Sequence, residues 1–135
     1  MLLQPKRTRY IKSRKGKLPK FNFKPNHLQF GNMGIKSTES GILTARQIES
    51  ARQAVNRKIK RKGKVWVRIF PSCPITTKPT EVRMGKGKGN VSYWSVKIAA
   101  GTTLFEVCSK NNHISSLALM SGGKKLPLKT KLIYF

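Results

Sequence analysis

The sequence contains no aspartate and only four glutamates, Glu39, Glu49, Glu81 and Glu106, scattered along 135 residues. Chemistry that needs two carboxylates side by side, whether general acid–base catalysis or magnesium binding, has almost nothing to work with. Cysteine is nearly as scarce. Cys73 and Cys108 stand alone, with no CxxC and no histidine at a zinc-ligand spacing, so neither a metal site nor a disulfide framework is expected. They read as two buried or idle thiols. No run approaches the ~20 apolar residues of a membrane span, and the stretch before Pro5 is too short for a secretory signal core. Pro5 and Pro19 interrupt any amphipathic transit helix, so the opening reads as part of the mature chain and no membrane partner is expected. No internal repeat is visible.

What is abundant is positive charge. Lys and Arg number 29 against the four acids, for a formal net charge of +25 and a pI near 11.0. Like charges at this density repel one another in a compact chain, and a polyanion is the simplest remedy; nucleic acid is the default polyanion. With 38% hydrophobic residues the chain can still build a core, and its length suits one domain. A DNA-compacting protein and a cationic membrane-active peptide are the rival classes, but neither needs a capped helix or tryptophan-bearing strands.

Residues 1–26 form a basic tail, carrying Lys6, Arg7, Arg9, Lys12 and Arg14 among other cations, with Tyr10, Phe21 and Phe23 interleaved. Such a segment cannot bury enough apolar surface to fold alone, and is expected to order along phosphates. Residues 27–135 form the globular part. After a glycine-punctuated stretch of short strand and turn, Thr44 and Gln47 make a T-x-x-Q capping box, and Gly63 stands where a C-terminal glycine belongs; a helix over 45–62 is expected. At 100° per residue Ile48, Ala51, Val55 and Ile59 fall on one stripe, while Arg46, Gln53, Arg57, Lys60 and Arg61 fall on the other side. One side is core and the other a cationic ridge.

Residues 64–70 alternate as a strand with both faces partly covered, and Pro71, Pro74 and Pro79 predict a connecting loop. Residues 91–98 and 102–107 read as a hairpin turning at Ala100-Gly101. A weak helix over 111–121, undercut by Ser115-Ser116 and Gly122-Gly123, and a last strand through Leu128, Leu132 and Tyr134 complete the chain. Strands and helices mix without a regular βαβ repeat, which makes the fold class α+β.

Residues 83–90, with Arg83, Met84, Gly85, Lys86, Gly87, Lys88 and Gly89, form a flexible basic loop. Its glycines lack the spacing of a mononucleotide site and no helix follows, so a small-molecule substrate or cofactor is not expected. They suit a backbone that must come close to RNA. Trp66 and Trp94 could stack on bases, though core is the commoner place for a strand tryptophan. His27 and His113 read as hydrogen-bonding or RNA-contacting side chains, and the chain as no enzyme.

Several of these segments together resemble a known family. Leu43-Thr44-Ala45-Arg46-Gln47-Ile48-Glu49-Ser50-Ala51-Arg52, Lys64-Val65-Trp66-Val67-Arg68-Ile69-Phe70-Pro71 and Glu81-Val82-Arg83-Met84-Gly85-Lys86-Gly87-Lys88-Gly89-Asn90 resemble, in that order, the large-subunit ribosomal protein L-sixteen family of bacteria and organelles. Pro5-Lys6-Arg7-Thr8 and Lys125-Leu126-Pro127-Leu128-Lys129-Thr130 match as well. The resemblance implies an α/β-hammerhead-like mixed sheet with one long helix and a weaker second one. It also implies binding to large-subunit rRNA near the A site and the peptidyl transferase centre, beside A-site tRNA and neighbouring large-subunit ribosomal proteins. Lys6, Arg7 and Arg9 would lie among the tail contacts and Arg83, Lys86 and Lys88 in the loop. The chain departs from the family at 111–116 and at Gly122-Gly123, where relatives usually carry an alanine-rich amphipathic helix. With 20 Lys against 9 Arg and no Asp, it looks organelle-encoded: mitochondrion first, plastid or bacterial cytoplasm as the alternatives.

Overall fold

The computed structural model describes residues 3–22, 27–60 and 62–135. Its core begins with the capped helix. Thr44 Oγ1 accepts the Gln47 N–H at 3.3 Å, and Gln47 Oε1 accepts the Thr44 N–H at 2.9 Å, so α1 (Ala45–Ile59) starts where the capping box sets it. It ends earlier than expected. Lys60 takes the left-handed conformation (φ 53°) and donates its N–H to Arg57 O, closing the helix without a glycine. Gly63 is needed for another reason: a Cβ there would stand 2.7 Å from Cys108 O on the neighbouring strand.

Among the described residues, seven strands divide between two antiparallel sheets in this one α+β domain. β1 (Met33–Ser37), β3 (Gly63–Val67), β6 (Thr103–Ser109) and β7 (Thr130–Tyr134) form the first, in the order β3-β6-β1-β7. β2 (Gly41–Thr44), β4 (Cys73–Thr77) and β5 (Asn90–Ile98) form the second, in the order β2-β5-β4. The expected hairpin of 91–98 with 102–107 is therefore not one. β5 and β6 follow each other in the chain but belong to different sheets, because the turn at Ala100-Gly101 is a corner. Gly101 (φ 88°) donates to Ser37 O at 2.7 Å rather than closing a two-stranded ribbon. The prolines 71 to 79 do not exclude a strand either; Pro74 lies within β4, at a sheet edge where a missing N–H is tolerated.

One face of the first sheet carries the core. Met33, Ile35, Phe105 and Val107 pack beneath Ile48, Ala51, Val55 and Ile59 of α1 and Ala118 and Leu119 of α2 (Asn112–Gly123). The second helix is complete, although its sequence reads as weak. Asn111 Oδ1 caps it by accepting from the His113 and Ile114 N–H groups, and the glycines that lower its propensity make its packing possible. A Cβ at Gly122 would stand 2.5 Å from Val55 Cγ2, and one at Gly123 2.6 Å from Thr130 Oγ1. The two helices approach each other closely at Gly122. Among the described residues no helix is long and apolar enough to cross a membrane, and no group of His, Cys, Asp and Glu could hold a metal. Cys73 is half-buried, Cys108 is exposed, and both thiols are free.

Candidate nucleic-acid interface

The tail is extended and almost wholly exposed from Gln4 to Asn22, yet it is not adrift. Phe21 makes a parallel bridge with Ala100, with Asn22 N–H on Ala100 O (3.0 Å) and Ala100 N–H on Lys20 O (3.3 Å). Lys97 Nζ donates to Lys15 O, and Lys88 Nζ to Ser13 O. Lys12 Nζ in turn donates to Lys88 O at 2.9 Å. Tail and glycine loop are thus brought together along β5, and Lys12 meets Lys88 directly. Lys6, Arg7, Arg9 and Arg14 remain outward, with Arg9 lying over the Tyr10 ring at 5.5 Å. Lys24, Phe23 and Arg61 fall outside the described residues.

On α1 the exposed side carries Arg46 and Arg57, eleven residues or roughly 16 Å apart along the axis. Arg57 shares an open hollow with Gln53, Asn56 and Lys60, the last at the helix cap rather than on the helix. Arg52 is not free for a ligand, since Nε and Nη2 donate to Glu49 at 2.9 and 2.6 Å. That bond, reinforced by Gln53, holds the Glu49 carboxyl below the usual range despite its partial burial, and raises the Arg52 guanidinium.

The loop has no regular structure from Lys78 to Gly89, and residues 81–88 are all exposed. Gly85, Lys86 and Gly87 have φ of 91°, 49° and 98°, three consecutive left-handed residues. Nothing lies within 4 Å of a Cβ at Gly85 or Gly87, so only the backbone conformation calls for glycine there. Gly89 differs: a Cβ would meet Thr77 O at 2.3 Å. The loop is pinned at Gly89 and, through Lys78 Nζ on Gly85 O, at its middle. Its tip presents Arg83, Met84, Lys86 and Lys88 to solvent.

The other face of the first sheet holds a feature that sequence reading missed. Trp66, Glu106 and Gly34 lie side by side across β3, β6 and β1, with residues 28–31 over them. Glu106, fully buried, accepts three consecutive N–H groups on Oε2, from Gln29 (3.1 Å), Phe30 (2.7 Å) and Gly31 (3.0 Å). Its Oε1 accepts from Arg68 Nη1 at 2.5 Å. Arg68 also lies 5.0 Å from the Phe30 ring centre, Phe30 stacks on Trp66 at 6.0 Å, and Lys64 lies 5.3 Å from the Trp66 ring. Cation, ring, ring, cation: the order leaves Phe30 more than half exposed between charges. Alternation of Lys64, Trp66 and Arg68 along one strand face was the available signal. Neither tryptophan is core; both are half-buried.

A fold that ties down residues 29–31 with its one fully buried carboxylate among the described residues, and turns most of its cations outward, is that of a strongly basic α+β domain. The chain belongs to the ribosomal protein L16p/L10e family, whose model matches residues 5–133. It is accordingly a structural ribosomal protein and not an enzyme. The large ribosomal subunit protein uL16 of Bartonella quintana (strain Toulouse) is 49% identical over 132 residues, covering 98% of this chain and 96% of the relative. Its counterpart from Dichelobacter nodosus (strain VCS1703A) is 48% identical over 133 residues, covering 98% and 97%. That from Cereibacter sphaeroides (strain ATCC 17029) is 48% identical over 132 residues, covering 98% and 96%. All three relatives are bacterial.

Proposed function

We infer that this chain is a structural constituent of the large ribosomal subunit, binding large-subunit rRNA near the A site and peptidyl transferase centre and helping to position A-site tRNA. The observation that carries this reading is the joining of tail and loop through Lys12 and Lys88, which turns two separate basic segments into one cationic surface. Lys6, Arg7, Arg9, Lys12 and Arg14 follow rRNA phosphates, and Arg46, Arg57 and Lys60 anchor the domain from its helix side, with Arg61, which lies outside the described residues, assigned to rRNA as well. Arg83, Met84, Lys86 and Lys88, carried on Gly85, Gly87 and Gly89, form the part that reaches toward A-site tRNA. The tail (1–26) serves as an rRNA-binding arm and 27–135 as the body. Neighbouring large-subunit proteins complete its surroundings.

The lysine-rich, aspartate-free composition supports a mitochondrial ribosome as its place, with plastid and bacterial ribosomes as the alternatives. Sedimentation of fractionated cell lysates in high salt with magnesium tests both parts. The chain is expected in mitochondrial large subunits. Co-migration with DNA and absence from large subunits would overturn the ribosomal reading; recovery only from plastid or cytoplasmic large subunits would overturn the compartment alone.

A further inference from the structure

The second helix has apolar side chains on both sides. Ala118 and Leu119 are buried against the core, while Ile114, Leu117 and Met120 on the outer side are 40%, 49% and 48% exposed. From Asn112 to Gly123 there is no Lys, Arg or Glu at all, in a chain with 29 cations in 135 residues. A helix face meant for solvent would be polar, and one meant for phosphates would be basic. An apolar face on both sides of a helix is one that becomes buried.

Beside it lies a groove of about 450 Å³ between the last turn of α1 and the first half of α2. Ile59, Ile114 and Leu117 form its floor, and Lys58, Lys60, Lys62 and Lys110 stand around it. The ion pairs of the described residues all lie elsewhere, at Glu49, Glu106 and Glu39. Four ammonium groups around an apolar floor call for an occupant with both carboxylates and apolar side chains. RNA supplies the charge but no aliphatic groups to seat on Ile114 and Leu117. A second copy of this chain, at +25, would add repulsion.

We propose that this groove docks an acidic segment of a neighbouring protein, its apolar side chains on Ile59, Ile114 and Leu117 and its carboxylates on Lys58, Lys62 and Lys110, with Lys60 left to the rRNA side. The inference rests on the ribosomal reading, because it places that partner in the same large subunit. The geometry suits a short amphipathic helix laid across α2, adding a third helix to the α1–α2 pair. Rim lysines of this kind set orientation and on-rate, and the aliphatic floor holds the partner.

Large subunits from cells expressing the chain can be treated with a zero-length carbodiimide, which joins lysine amines to carboxylates in ion-pair range, and the products mapped by mass spectrometry. Two or more of Lys58, Lys62 and Lys110 are expected to join Asp or Glu within one segment of another protein. Ile114→Ser with Leu117→Ser should keep the chain in subunits and lower those cross-links at least fivefold. Lys58→Glu with Lys62→Glu should abolish the partner's recovery in the same subunits while leaving the helix packing untouched, so a folding defect in the first variant does not decide the matter. Subunits that contain the chain but give no protein cross-link from these lysines overturn the inference, as does ultraviolet cross-linking of residues 112–123 to rRNA. Absence of the chain from large subunits overturns the ribosomal reading and the inference with it.

Discussion

Lys12 and Lys88 hold each other's chain segments: the Lys12 ammonium donates to the Lys88 carbonyl at 2.9 Å, and the Lys88 ammonium donates to the carbonyl of Ser13. Two like charges are thereby brought into one small region, and among the described residues neither is paired with a carboxylate, an arrangement that a phosphate relieves. In the isolated protein these exposed bonds are weak, on the order of 1 kcal/mol or less each. Lys88→Ala should therefore speed protease cleavage between Tyr10 and Gly16 several-fold, with global unfolding unchanged. Unaltered cleavage in that segment would show that the tail is held by other contacts.

Glu106 is the most consequential single carboxylate. Changing it to Gln removes the charge that Arg68 and three backbone N–H groups are arranged around, and breaking a buried pair of this kind costs about 3–5 kcal/mol. Urea denaturation should register that loss. Adding Arg68→Met to Glu106→Gln should recover part of it, because the orphaned cation is removed as well; a double variant less stable than the single one would count against the pair.

Gly122→Ala and Gly85→Ala separate two uses of glycine. The first drives a methyl group into Val55 and should cost about 1–3 kcal/mol in thermal or urea unfolding. Val55→Ala in the same chain should relieve the clash in part. The second meets open space, and its penalty is that of a left-handed alanine, about 1 kcal/mol, confined to a loop that can shift. Equal destabilisation by the two would contradict the packing described for α2.

Much of this was legible beforehand, and what was not has a physical pattern. The capped helix, its apolar stripe and the basic loop follow from residues close in sequence, where spacing and capping chemistry act directly. The division of β5 and β6 between sheets does not, because Ala100-Gly101 is equally good as a hairpin tip and as a corner; only the long-range bond from Gly101 to Ser37 decides. The Glu106 site was hidden for the same reason: its donors lie 38 to 77 positions away. Helix α2 was underrated because propensity counts glycine as a loss, while packing against Val55 makes it a requirement.

Ridge and loop should part in function. Arg46→Glu with Arg57→Glu, both on a rigid helix, is expected to reduce incorporation into large subunits. Lys86→Glu with Lys88→Glu should leave incorporation within about twofold and slow dipeptide formation by purified ribosomes instead, since phosphate contacts position and the loop serves the later step. Quantitative mass spectrometry of subunits, beside the dipeptide assay, reads both. Equal loss of occupancy would mean that loop and ridge are parts of one anchor.

Acid should weaken the α1 pair in a defined direction. Because Arg52 lowers the Glu49 pKa in the folded state, the pair's contribution is full above the unfolded glutamate's titration and disappears as pH falls through the lower, folded value. An i,i+3 pair on a helix surface is worth about 0.2–0.5 kcal/mol. Glu49→Gln should lose that amount at neutral pH and match the parent once the pH has fallen below the folded-state titration of Glu49. A constant difference across the range would show that the carboxylate acts by packing alone.

The places where the tail is tied down, at Lys88, Lys97 and Ala100, are synthesised long after it: Ser13 and Lys15 find their partners 75 and 82 positions further on. The tail is thus made long before its seats on the folded body exist. For most of synthesis the nascent protein is a growing domain trailing a free polycation, and whatever anion it meets in that interval competes with its own fold for the same lysines.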